Sequence, residues 1–143
     1  MTTPRLAATA TAIYEAWMRT VDLAGPALAG HGLTSSTFQV LWAIDPDEPP
    51  PPMKVMAERL HCNAPNLSFM ANQLADRGLV ERAVDPADRR SRVLVLTAEG
   101  RQVRDEVLRA ALENNPLAAL TDSELGQLMT LLTRALGPGW PAG

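Results

Sequence analysis

Cysteine is almost missing from this chain: Cys62 stands alone among 143 residues. A lone thiol excludes an intramolecular disulfide framework and any multi-cysteine zinc site. Histidine is nearly as scarce, and His31 and His61 fall at no metal-ligand spacing such as His-x-x-x-His. There is no Gly-x-Ser-x-Gly and no phosphate-cradling glycine loop. The 16 carboxylates are scattered along the chain. No catalytic constellation emerges, so the expectation is a non-enzyme with no cofactor and no bound metal. Long apolar runs are absent as well. None approaches the roughly 18 residues that a membrane helix requires, so no membrane partner is expected. Met1-Thr2-Thr3-Pro4-Arg5 leads into no signal-peptide core. A soluble protein of the cytoplasm is the expectation.

What is present is an ordinary globular balance, 46% apolar and 20% charged, which argues against a mainly disordered chain. The length suits one domain or one compact pair of subdomains. The formal charge of −3 does not advertise a nucleic-acid partner. Its distribution says more. Residues 1–52 and 105–143 each carry a net −3, whereas residues 53–104 carry +3. A basic middle between acidic ends is the pattern of a DNA reader whose ends serve another purpose. Such swings also occur on ordinary solvated surfaces.

Periodicity resolves the chain into elements. Leu6, Ala10, Ile13, Trp17, Val21, Ala24 and Leu28 recur at steps of three and four, one face of a long helix. Pro26 is expected to kink or interrupt it, and Gly30-His31-Gly32 ends it. Thr34 reads as the N-cap of a second helix with Phe38, Leu41 and Trp42 on its apolar stripe. Asp45-Pro46 stops that helix, and four successive prolines at 49–52 make a stiff extended connector. A short helix is predicted from about Lys54 to His61. Asn63 then caps a helix that has Pro65 in its first turn, runs to Arg77 and ends at Gly78. Its inward stripe is Leu67, Met70, Ala71 and Leu74; Asn66, Phe69, Asn72 and Gln73 face outward.

Two strand-like runs follow, Leu79–Val84 and Arg92–Leu96, joined by a polar turn over 85–91. Thr97 caps a helix from Ala98 to about Asn114, and Pro116 bars its continuation. Thr121 and Glu124 fit a capping box for a last helix to Leu136. Residues 137–143 read as a loose tail. Two short helices joined by a tight turn, with a hairpin behind, form a winged helix-turn-helix. The predicted fold is therefore mainly α with a small β-hairpin wing, the winged unit flanked by N- and C-terminal helices.

From about residue 6 to residue 136 the chain resembles the MarR (multiple antibiotic resistance regulator) family of bacterial transcription factors. Ala57-Glu58-Arg59-Leu60 looks like the helix before the turn. Leu74-Ala75-Asp76-Arg77-Gly78-Leu79-Val80-Glu81-Arg82 looks like the end of the recognition helix and the first wing strand. Asp85-Pro86, Asp88-Arg89-Arg90 and Leu96-Thr97-Ala98-Glu99-Gly100 match the wing signature. The resemblance implies a homodimer with interlocked N- and C-terminal helices, a pseudo-palindromic operator, and release by a small aromatic or lipophilic effector or by cysteine oxidation. It assigns 1–33 and 98–143 to dimerisation and 34–97 to DNA binding. It points to a cytoplasmic, bacterial regulator, expected to be a repressor.

The candidate DNA-binding residues are Asn63, Asn66, Ser68, Phe69, Asn72 and Gln73 on the recognition helix and Arg89, Arg90 and Arg92 on the wing. Amides there suit base edges or phosphates, and wing arginines suit a narrow minor groove. Asp88 is the candidate wing-orienting residue, through hydrogen bonds that shape the turn. The recognition helix departs from the family by carrying no Arg or Lys between Asn63 and Asp76. Trp17, His31, Phe38 and Trp42 are the candidate effector residues, although aromatic residues at helical spacing also suit a core. Cys62 reads as a structural or incidental thiol, because the sensing cysteine of the redox branch lies in the first helix, which has none here. The alternative function is a non-enzymatic protein-interaction adaptor, a winged fold that has lost DNA binding. In that case the face around Phe69 meets a protein partner.

Overall fold

The computed structural model describes residues 3–139. The chain opens with α1 (Pro4–Gly30), α2 (Ser35–Ala43), α3 (Met53–Arg59) and α4 (Ala64–Asp76). The antiparallel pair β1 (Val80–Asp85) and β2 (Asp88–Leu96) follows. Then come α5 (Ala98–Leu112), a 3₁₀ turn (Pro116–Ala119) and α6 (Asp122–Leu136). The order matches the periodicity reading, and so does the mainly helical class with one hairpin. Of the expected tail, residues 140–143 lie outside the described residues.

Local chemistry explains the boundaries. Thr3, Asn63, Thr97 and Thr121 each accept a backbone N–H from the first turn of the helix they precede, satisfying donors that have no partner within the helix. At Thr34 the hydroxyl of Thr37 bonds the Thr34 backbone instead, donating to its carbonyl and accepting its N–H. The Glu124 carboxylate accepts the Thr121 N–H at 2.9 Å. That bond, and a second to the Thr121 side chain, hold its pKa below the usual carboxylate range. The cap's contribution is therefore full above the usual carboxylate range and is lost as pH falls to the lowered value.

Four expectations need correction. The interruption expected at Pro26 does not occur, and helix α1 is assigned as one element through it. Ala24 and Leu28 are buried on either side of it, so packing outweighs the roughly 3 kcal/mol an interior proline costs. Helix α3 ends at Arg59 rather than His61, because His61 turns left-handed at φ 52°. Helix α5 ends at Leu112, and Asn114 is left-handed at φ 59°. The wing strands extend almost to the tip, so the expected seven-residue turn shrinks to Pro86-Ala87. Strand pairing continues there because Asp85 pairs with Asp88 across the turn.

The core is one cluster built from every part of the winged unit. Phe38 and Leu41 of α2, Met56 of α3, Leu67 and Leu74 of α4, Leu94 of β2 and Val107 of α5 are fully buried. Helix α5 lies along α1. A buried polar link ties them: Asn115 Nδ2 donates to Thr20 Oγ1 at 2.8 Å and to the Ala111 carbonyl. The outer half of α1 contributes little to this core, with Leu6, Ile13 and Tyr14 exposed. No residue of α6 is buried.

At the base of the wing, α5 meets the chain leaving α4. Gly78 takes φ 73°, which a side chain disfavours. The Thr97 hydroxyl donates to the Gly78 carbonyl at 2.6 Å, and the Thr97 N–H donates to Leu79 O at 3.1 Å. A Cβ on Gly100 would stand 1.8 Å from that same Leu79 oxygen. Replacing Gly100 with Ala must push α5 away from the wing, at an expected cost of about 3 kcal/mol. The urea midpoint of the purified Gly100→Ala variant should fall well below that of the parent. An unchanged midpoint would show that α5 can shift at this junction without penalty.

Candidate nucleic-acid interface and the cavity behind it

The turn between α3 and α4 is made by the left-handed His61 and closed by the Cys62 N–H, which donates to Ala57 O at 3.0 Å. Asn63 then starts α4, its Oδ1 accepting the Asn66 N–H at 2.8 Å. That oxygen serves the helix, which leaves the Asn63 amide group as its only free polar end. Leu67, Ala71 and Leu74 pin α4 to the core. Asn66, Phe69 and Asn72 stand on the opposite side, all exposed, with Phe69 at 64%. Ser68 and Gln73 are half-buried at the two margins of this face. Gln73, Asn66 and Phe69 share a groove of about 500 Å³ with Thr34 and Ser36 at the start of α2. Ser68 borders the wing.

On the wing, the ladder runs from Val80–Leu96 to Val84–Arg92 and then jumps to Asp85–Asp88. Arg89, Arg90 and Ser91 therefore have no partner across it and bulge outward. Asp88 shapes this bulge through the backbone. Its carboxylate accepts the Arg90 N–H at 3.0 Å and the Ser91 hydroxyl at 3.2 Å. The Arg92 guanidinium folds back and donates to the Arg89 carbonyl at 3.2 Å. Arg89 and Arg90 are exposed and form no ion pair among the described residues. Such a bulge re-aims side chains away from the sheet.

Sequence reasoning missed the cleft between wing and helices. Lys54, Arg82, Arg90 and Arg92 line a space of about 350 Å³ together with Ser68 and Ser91, and no carboxylate joins them. Arg82 bridges the two elements, its Nη2 donating to the Ser68 carbonyl of α4 at 3.2 Å. Pro52 closes the far side by pairing with Val93 as an isolated bridge, so the proline connector docks on the wing. The basic middle segment was the available signal, but it did not single out Lys54 or Arg82.

The four candidate effector residues divide. Trp17 and Trp42 line one cavity of about 460 Å³, with Gln39, Arg59, Leu60 and His61. Phe38 lies behind them in the core, its ring 6.2 Å from Trp17 and 5.3 Å from Trp42. His31 lies outside this cavity, its Nε2 2.7 Å from Glu106 Oε2 of α5. Arg59 and His61 were not foreseen here, since they arrive from the end of α3 and its turn. Arg104 of α5 braces the cavity from behind, donating to the Leu41 and Trp42 carbonyls at 3.0 and 3.1 Å. Cys62 is half-buried at the turn. No cluster of three or more metal-ligating side chains occurs among the described residues. Nor is any helix among them long and apolar enough to cross a membrane.

Residues 31–91 match the MarR family model. The chain is 36% identical over 97 residues to the transcriptional regulator HosA of Escherichia coli O111:H-, an alignment covering 67% of this chain and 66% of that protein. Its fold matches CouR from Rhodococcus jostii RHA1 bound to p-coumaroyl-CoA, with TM-score 0.70 and 23% identity over 83% of this chain and 85% of that one. It also matches the transcriptional repressor CouR bound to a 23-mer DNA duplex, with TM-score 0.69 and 26% identity over 96% and 99% of the two chains. The winged helix-turn-helix, the family match across it and the likeness to HosA lead to one conclusion: this chain belongs to the MarR family of transcriptional regulators.

Proposed function

We propose that the protein is a homodimeric, cytoplasmic repressor that binds a pseudo-palindromic operator and releases it on taking up a small aromatic or lipophilic ligand. One observation carries the DNA-binding part. Two unpaired arginines, Arg89 and Arg90, are held outward on a bulge whose backbone Asp88 has already shaped. A guanidinium so placed enters a narrow minor groove at little further ordering cost. Helix α4 then lies in the adjacent major groove and presents Asn66, Phe69 and Asn72 to base edges, with Ser68, Gln73 and the Asn63 amide at its margins. Arg92 supports the bulge and adds charge near the phosphates. The likeness to DNA-bound CouR supports this pose.

Dimerisation follows from what the isolated chain leaves uncovered. Leu6 and Ile13 of α1 and Leu131 and Leu136 of α6 are all about half exposed or more. A second copy would bury both ends at once and set two α4 helices about one DNA turn apart. Residues 34–97 form the DNA-binding part of this arrangement, with 1–33 and 98–143 holding the dimer.

The ligand site of this proposal is the Trp17–Trp42 cavity, with Phe38 packed behind its two indoles. Indole walls beside the Arg59 guanidinium suit an aromatic carboxylate. The CouR structure with p-coumaroyl-CoA supports an aromatic ligand class. The cavity touches α1, α2 and the turn before α4, so an occupant there would shift the winged unit against α1. The adaptor reading is favoured by Phe69 alone, a large exposed ring on a helix without cations.

Fluorescence anisotropy on the DNA upstream of its own gene, at several salt concentrations, tests the first part. Binding should be tight and fall steeply with salt. Arg90→Ala should weaken binding to every sequence and lower the slope of log K against log salt by about one. An unchanged slope would remove the wing from the interface, and no salt-dependent binding by the parent would favour the adaptor. For the ligand, a panel of aromatic carboxylates and phenols should include one that releases the DNA. Arg59→Ala, at an exposed position, should weaken the response to a carboxylate by about tenfold. An unaltered response would place the ligand elsewhere.

A further inference from the structure

We infer that α4 is built to read A·T base pairs. Its Asn66 and Asn72 amides would bind adenine and its Phe69 ring would cover a thymine methyl, with no Arg or Lys to make the bidentate contact to guanine. This rests on the operator-binding reading and specifies its target. The outward face of α4 between Asn63 and Asp76 holds no Arg or Lys. Guanine is read in the major groove chiefly by Arg or Lys donating to O6 and N7. A carboxamide instead pairs with adenine N6 and N7, because it can donate and accept together. Both Asn66 and Asn72 are exposed, six positions apart on one helix, with Phe69 midway between them.

Phe69 stands opposite the buried side formed by Leu67 and Leu74, and 64% of its surface is open. The thymine C5-methyl is the apolar group that the major groove offers. The charge that α4 lacks sits beside it. Lys54, Arg82 and Arg92 in the basic cleft and Arg89 and Arg90 on the bulge flank the helix. Phosphate attraction is thus supplied at the edges while the reading face stays neutral. The outward wing arginines favour A·T-rich sequence for an independent reason, since such tracts narrow the minor groove and deepen its negative potential. Both contact elements then select the same base composition. Asp76 lies on the same side of the helix but is its last residue, about one turn beyond Asn72.

The test is selection from a duplex library with a randomised core of about two helical turns, followed by chemical substitution in the winning duplex. The enriched half-site should be A·T-rich at the major-groove positions. Replacing its thymines one at a time by deoxyuridine removes only the methyl group. At one position this should weaken the parent protein by about threefold to fourfold, the value of one buried methyl, and should leave Phe69→Ala unaffected. Asn72→Ala should lose about tenfold at one adenine position and tolerate other bases there. A half-site dominated by guanine contacts, or deoxyuridine effects that persist in Phe69→Ala, overturns the inference while operator binding stands. Failure to enrich any sequence, together with no salt-dependent binding, overturns both. Phe69→Leu keeps an apolar cover and should retain part of the methyl effect.

Discussion

The joint between the wing base and α5 holds the rest of the molecule in place. The backbone of Leu79 approaches Gly100 too closely for any side chain there. The Thr97 hydroxyl locks onto the Gly78 carbonyl from the same side. Gly78 is also where α4 ends, so recognition helix, wing and α5 converge within a few residues. A hydrogen bond to an otherwise unpaired carbonyl and a backbone contact in van der Waals range leave little room for relative motion. Arg82 adds a second tie between the wing and α4. The two elements that face the DNA in the proposed complex therefore move as one body. Any signal from α1 or α5 must shift that body whole.

That rigidity gives the proposed ligand cavity its leverage. Trp17 belongs to α1, Trp42 to α2 and His61 to the turn before α4, so one cavity spans all three. Arg104 pins the α2 carbonyls to α5 behind it. A ligand that binds one arrangement of these elements better than another shifts their equilibrium by its difference in affinity and no more. The packed rings of Trp17, Phe38 and Trp42 connect the cavity directly to the core.

Charge is divided with similar economy. The chain is net acidic, yet five of its 13 cations, Lys54, Arg82, Arg89, Arg90 and Arg92, gather on the wing and in the cleft beside it. In the proposed complex, cations at the margins would supply sequence-independent attraction and the neutral helix face would supply discrimination. On that proposal the two tasks fall to different residues and can be altered separately.

Helix order, hairpin and family were legible from residues alone because their causes are local. A Thr or Asn oxygen meets an N–H three residues on, as at Asn63 and Thr97. Apolar residues repeating every three or four positions mark one face of one helix, and Pro and Gly mark its limits. These bonds form between near neighbours and need no knowledge of the fold. The same local view misled wherever distant packing outweighed it. Pro26 sits inside an unbroken helix because α1 is held by other elements on both sides of it. The wing turn is two residues long because Asp85 and Asp88 pair across it. Nor could a local view foresee that His31 lies beside Glu106, 75 residues away. Lys54 and Arg82 meet in one cleft, and Arg59 and His61 join two tryptophans, through folding of segments whose spacing carries no periodic signal. Contacts between residues far apart in the chain depend on how whole elements pack, and no window of sequence contains that information.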